Sequence, residues 1–288
     1  MNDMELISKV QQDRLNRSFL NEEKRLIGDG GYLAPSAELW NDLLVTASLK
    51  KNILLIGPSG SGKTKLADSI SAFFQQPIQV VNCSVDLDSE ALLGFKTIVK
   101  ADDQLIIDFI EGPVVKAMKN GHILYIDEIN MAKPDTLSIL NSVLDYRRML
   151  VNPFTGKTII AHSDFLVIAA INEGYIGTTP MNEALANRFI SFSIPYIQSD
   201  MLRELLIGKF PHVSTRLVDS FISFSQDLMK QVQNGLLSDE ASSIRSLEDA
   251  IELAQFMDPI RAITYAIAEK LRDEMERDLV IQLAKTWM

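Results

Sequence analysis

The chain has 288 residues, enough for one large domain or for a core with a smaller companion. Hydrophobic residues make up 47% and charged residues 23%, a balance that excludes a disordered chain and allows a sizeable buried core. The net charge of -10 at pH 7 argues against a chain built to coat nucleic acid, which needs clustered Lys and Arg; a basic pore assembled from several subunits stays open.

Residues 1–29 are charged and helical in pattern, and end in the turn signal Gly28-Asp29-Gly30-Gly31. A second helix is expected from Ala37 to Leu49. The pattern then changes to short continuous apolar runs: 52–57, Ile78–Val81, His122–Ile126, Phe165–Ile171 and Phe189–Ile194. Such runs suit strands covered on both faces. Helical segments separate most of them, which predicts an α/β fold, a three-layer αβα core with a parallel sheet. Beyond Pro195 the runs disappear, and Leu, Ala, Glu, Asp and Arg recur at helical spacing. The expected layout is an N-terminal helical segment (1–29), an α/β nucleotide-binding core (30–196) and an all-helical lid (197–288).

Cys83 is the single cysteine, so no intramolecular disulfide forms; a small buried residue in a reducing compartment is expected. The first residues lack the basic and apolar pattern of a secretory signal. No apolar stretch approaches the roughly 20 residues needed to cross a bilayer, so a cytoplasmic protein with no membrane contact is expected. His122, His162 and His212 lack metal-ligand spacing and read as structural or surface residues.

Directly after the first apolar run stands Gly57-Pro58-Ser59-Gly60-Ser61-Gly62-Lys63-Thr64, which fits G-x-x-x-x-G-K-[ST] at every fixed position. Glycines let the backbone curl so that successive N–H groups face phosphate oxygens, and the following helix adds the positive end of its dipole. Lys63 is the point charge for the β- and γ-phosphates, and the Thr64 hydroxyl is a Mg²⁺ ligand. The run His122–Ile126 ends in Asp127-Glu128. At a phosphate-binding site two such acids divide their roles: Asp127 holds Mg²⁺ through its water shell, and Glu128 orients and deprotonates the attacking water. The adjacent pair points to ATP hydrolysis with a catalytic glutamate rather than to a small switch GTPase.

With these motifs in order, the sequence resembles the AAA+ ATPases, within them the MoxR-like and dynein-related group that includes midasin, NorQ/CbbQ-type activators and McrB. The similarity covers roughly residues 30–288. It is carried further by Glu90-Ala-Leu-Leu-Gly94, Glu111-Gly-Pro-Val-Val-Lys-Ala117, Asp127-Glu-Ile-Asn-Met-Ala132 and Leu144-Asp-Tyr-Arg147 before a hairpin at about 148–163. The resemblance implies that Asn172 is sensor 1, that Arg188 is the arginine finger entering a neighbouring subunit, and that Arg245 is the lid arginine, sensor 2. It leaves open whether Arg147 or Arg148 takes the family position. It also leaves open whether Asn82 restrains Glu128 or is a turn residue. Tyr32 and Leu33 are placed beside the adenine base. The implied function is ATP hydrolysis with Mg²⁺ in a homo-oligomeric ring, a hexamer in the family, that remodels a partner protein, with a von Willebrand A domain protein as the candidate partner. The insertion at about 85–110, with Phe95 and Leu105-Ile-Ile107, either grips a polypeptide or packs on the core. The alternatives are a McrB-like nucleic-acid motor that could use GTP and a nucleotide-gated scaffold without turnover.

Overall fold

The computed structural model describes residues 2–84, 87–101, 104–172, 181, 183–197 and 199–288, without the side chains of 100, 101, 104, 134, 135 and 199. In chain order, α1 (Asp3–Leu15), α2 (Asn21–Lys24) and α3 (Ala37–Ser48) precede β1 (Ile53–Gly57). Next come α4 (Lys63–Phe74), β2 (Ile78–Asn82), α5 (Ser89–Leu93), β3 (Gly94–Ala101), β4 (Gln104–Glu111), α6 (Pro113–Asn120) and β5 (Ile123–Asp127). They are followed by α7 (Pro134–Leu144), β6 (Met149–Val151), β7 (Thr158–Ile160), β8 (Leu166–Asn172), α8 (Glu183–Ala186) and β9 (Ile190–Ser193). The last part is helical: α9 (Ser199–Lys209), α10 (Thr215–Gln233), α11 (Ile244–Ala254), α12 (Pro259–Ala266) and α13 (Glu274–Trp287).

Five strands form a parallel sheet in the order β2-β5-β8-β1-β9. Helices cover both faces, as a parallel sheet requires, so Leu54, Tyr125, Ile126, Val167 and Ala169 are all buried. The strand ends differ slightly from the sequence expectation. The expected strand 122–126 runs from Ile123 to Asp127, which brings the acid onto the strand itself, and the last strand begins at Ile190 rather than Phe189.

The chain divides into two compact units: Met1–Ile56 with Lys63–Ser193, and Gly57–Gly62 with Ile194–Met288. The core of the first is the sheet with α4, α6 and α7, including Leu66, Val115, Met118 and Leu140. The second packs α9 to α13 around Phe221, Phe224, Ile251, Ile263 and Val280. Its helix starts carry side-chain caps: Ser243 accepts from Ser246 N–H, Asp258 from Ile260 and Arg261, and Asp273 from Met275.

Residues 1–29 hold two helices joined by an extended stretch, and α1 packs on the first unit. Gln11 Nε2 donates to the Phe73 carbonyl (3.0 Å), and Ile78 N–H donates to the Leu26 carbonyl (2.9 Å). Arg17 pairs with Asp164 at 2.9 Å, and Lys50 meets the same carboxylate at 2.6 Å. Arg14 is 2% exposed; its guanidinium makes no hydrogen bond among the described residues and lies 4.4 Å from the centroid of the Phe74 ring. Burial pushes it down to about 10.

β3 and β4 form a separate antiparallel ribbon where the sequence suggested only an insertion. Phe95, Ile98, Leu105 and Ile107 are exposed on it, so they do not pack on the core. The expected hairpin at 148–163 is β6–β7. Asn152, buried, shapes its turn by accepting from Phe154 N–H at 2.9 Å and Thr155 N–H at 3.3 Å. Among the described residues no helix is long and apolar enough to cross a membrane.

Candidate active site

The carboxyl ends of three adjacent strands, β2, β5 and β8, bring the acids and amides together. On β5 the two-residue period places Tyr125 and Asp127 on one face. Cys83 N–H donates to the Asp127 carbonyl at 2.9 Å. The Asp127 carboxylate turns to the first turn of α4, where Thr64 Oγ1 lies 3.4 Å from Oδ2. Thr64 Oγ1 is also 3.2 Å from the Tyr125 hydroxyl. Burial, and then the Asp127 charge, pushes the Tyr125 phenol far above its ordinary value, so it keeps its proton.

Glu128 is exposed and takes the left-handed backbone, φ 51 and ψ 43, where a non-glycine residue costs about 1 kcal/mol or more. Its N–H donates to Asp127 Oδ1 at 3.1 Å. Its Oε1 accepts from Asn172 Nδ2 at 2.9 Å. Asn172 is the last residue of β8. Asn82 pairs with Asp127 in the β2–β5 register, but the amide that meets Glu128 comes from Asn172. Glu173, the next residue, lies outside the described residues.

The phosphate loop Gly57–Gly62 has its own packing within the second unit. Ser61 N–H donates to the Pro58 carbonyl at 3.3 Å. Gly57 has no room for a side chain, since a Cβ there would stand 2.2 Å from the Ile194 carbonyl oxygen. Gly60 has φ +79, and a Cβ there would lie 3.4 Å from Ser243 Cα and Ile244 N. The loop therefore abuts the first turn of α11, in which Arg245 is the second residue and exposed. That turn contains no acid. A cation at a helix N-terminus runs against the dipole, by about 0.3–1 kcal/mol at an exposed site. Lys63 opens α4 and is buried; Ser59 and Gly62 are half-buried.

The other candidate residues separate by environment. Arg188 is half-buried just after α8, and its guanidinium donates to the Ala184 carbonyl. Arg148 donates to the Phe165 and Lys50 carbonyls and, at 3.2 Å, to Asn52 Oδ1, so it holds the fold together. Arg147 is exposed and pairs with Asp145 at 2.9 Å. Burial, then the charges of Asp127 and Glu128, pushes the Cys83 thiol up to about 12. His122 is buried, with Nε2 3.0 Å from Glu23 Oε1. Tyr32 N–H donates to Ser69 Oγ at 2.9 Å, which ties the segment before the core to α4.

Among the described residues no group of three His, Cys, Asp or Glu could hold a metal. The donor set suits a cation that keeps much of its water. Adjacent ligands around octahedral Mg²⁺ stand about 3 Å apart, close to the 3.4 Å between Thr64 Oγ1 and Asp127 Oδ2. Tyr125 also meets this cluster, and the sequence reading did not single it out. Its signal was a hydroxyl-bearing residue in an otherwise aliphatic strand, two positions before the acid.

Residues 52–189 match the family model of the AAA domain, dynein-related subfamily. The chain is 53% identical over 265 residues to the uncharacterized protein YojN of Bacillus subtilis (strain 168), covering 92% of this chain and 87% of that one. It is 52% identical to the uncharacterized protein SH1500 of Staphylococcus haemolyticus (strain JCSC1435), covering 86% and 95%. Among solved structures, a "putative ATPase" of Cytophaga hutchinsonii aligns with a TM-score of 0.51 at 16% identity, over 99% of this chain and 96% of that one. A point mutant of RuvB from Thermotoga maritima aligns with a TM-score of 0.50 at 17% identity, over 83% and 72%. These two likenesses concern the fold.

Proposed function

Since the chain belongs to one family with YojN and carries an AAA domain of the dynein-related subfamily, we propose that it binds ATP with Mg²⁺ and hydrolyses it. One observation carries this reading. Thr64 and Asp127 place two oxygens 3.4 Å apart, while Asn172 holds the carboxylate of the next residue, Glu128, at 2.9 Å. In this reading a cation position and a water-activating position lie side by side at the end of β5.

In this reading the loop Gly57–Gly62 offers its N–H groups to the phosphates, and Lys63 adds a point charge. Thr64 and Asp127 hold Mg²⁺, which supplies charge neutralisation on the phosphate oxygens. Glu128 takes the proton of the attacking water. Asn172 first restrains that carboxylate and then orients the water. Arg245 faces the phosphates that the neighbouring loop binds, which satisfies its placement at the start of α11. Arg188 serves the site of an adjacent subunit, where an arginine is worth about 10³–10⁵ in rate in other nucleotidases. A ring of such subunits, acting on a partner protein, is the biological form we favour. The exposed apolar β3–β4 ribbon supports contact with another polypeptide. A partner with a von Willebrand A domain fits the family resemblance.

The test is magnesium-dependent binding of ATP and phosphate release across a range of protein concentrations. Turnover per chain should rise with concentration. Arg188→Ala should bind ATP but release little phosphate, and mixing it with Lys63→Ala protein should restore part of the activity. No purine-triphosphate affinity in the presence of magnesium would end this reading. Stimulation by DNA would replace the protein partner with nucleic acid.

A further inference from the structure

The Tyr125 hydroxyl lies in a strand whose neighbours Ile123, Leu124 and Ile126 are aliphatic and fully buried. Phenylalanine would fill the same space without a polar atom to satisfy. Burying a hydroxyl costs free energy unless it is hydrogen-bonded, and here the partner bears on the proposed cation. Thr64 Oγ1 lies 3.2 Å away, and the same Thr64 oxygen lies 3.4 Å from Asp127 Oδ2.

The donors follow from chemistry. An ionised carboxylate only accepts, so Thr64 donates its one hydroxyl proton to Asp127 Oδ2. The Tyr125 hydroxyl therefore donates to Thr64 Oγ1. A threonine hydroxyl that ligates a cation must turn its proton away from the metal, and Asp127 as acceptor with Tyr125 as donor fixes that orientation. Asp127 is held at the same time, with its other carboxylate oxygen accepting from Glu128 N–H at 3.1 Å. We propose that Tyr125 is a positioning residue for the divalent cation: its hydroxyl pins Thr64, and through Thr64 the contact with Asp127, in the arrangement that Mg²⁺ requires. The inference rests on the nucleotide-binding reading above and adds a residue that neither the phosphate-loop motif nor the acid pair contains.

The test is Tyr125→Phe, with binding of a fluorescent ATP analogue followed as Mg²⁺ is titrated. The wild-type chain sets the reference, and nucleotide affinity in the presence of a chelator serves as the folding control. Partners that orient metal ligands typically contribute 10- to 100-fold in metal affinity. Tyr125→Phe should therefore raise the half-saturating Mg²⁺ concentration about tenfold, with metal-free nucleotide affinity unchanged. A half-saturation within about twofold of wild type, in a folded variant, overturns the proposal. Should the phenylalanine variant not fold, 3-fluorotyrosine placed at position 125 nearly keeps the ring volume and makes the phenol a stronger donor. It should shift the same midpoint downward, and an unmoved midpoint again overturns the proposal. If the wild type itself shows no magnesium-dependent binding, the parent reading fails first and this inference falls with it.

Discussion

Glu128 combines an exposed carboxylate, a left-handed backbone and an amide partner on the next strand. A group held this way is restrained without being neutralised. The Asn172 amide can exchange this partner for a phosphate or water, because a hydrogen bond to a charged group contributes only about 1.5–3 kcal/mol net. Glu128→Gln keeps the shape and can still pair with Asn172, but cannot take a proton at neutral pH. Phosphate release by this variant should fall at least about 100-fold, with ATP binding retained in a direct binding assay; full turnover would remove Glu128 from the role of base. Gly57→Ala tests the loop in a different way. Its Cβ would meet a backbone carbonyl oxygen at 2.2 Å, so both the melting temperature and ATP affinity should fall.

At the scale of elements, strands buried on both faces were readable because nothing else accounts for short aliphatic runs ending in glycine or acid. β1, β5 and β8 sit within a residue or so of where their runs suggest. The β3–β4 ribbon was not readable in the same way. Its Ile98, Leu105 and Ile107 are exposed, so they carry no burial pattern, and only the richness in β-branched residues hinted at strands. Of the candidate site, the glycine-rich loop and the acid pair stood out in the sequence because the chemistry proposed for them fixes residue types at fixed spacing. The Asn172–Glu128 pairing and the place of Tyr125 depend on which strands become neighbours, and one-dimensional spacing does not contain that. The arginines at the β6 entry show the same limit: adjacent in sequence, they face different surroundings. Arg148→Met should cost about 2 kcal/mol in denaturant unfolding, because its charged hydrogen bonds to two carbonyls are lost. Arg147→Ala should leave the unfolding midpoint essentially at the wild-type value. Equal losses in the two variants would contradict this division.

For the whole chain, the joint between the N-terminal segment and the sheet makes folding sensitive to acid. Burial holds His122 below its ordinary 6.5, and the nearby Glu23 offsets this only in part. The unfolded chain therefore takes up the proton first. Stability is full above about 6.5 and declines as pH falls from there toward the lowered folded value, by at most about 1.4 kcal/mol per pH unit for this group. His122→Gln should flatten the melting temperature between about pH 7 and 5.5; an unchanged slope would assign the loss to other groups.

The way α1 is fastened also governs what happens when the backbone is cut. Gln11, Arg17, Glu23 and Leu26 bond to residues far along the chain, and Arg14 is sealed against Phe74. A protease that nicks Gly28–Gly31 should therefore leave two pieces that still travel as one through a native sizing column. They should part only when a denaturant dissolves the seam between them.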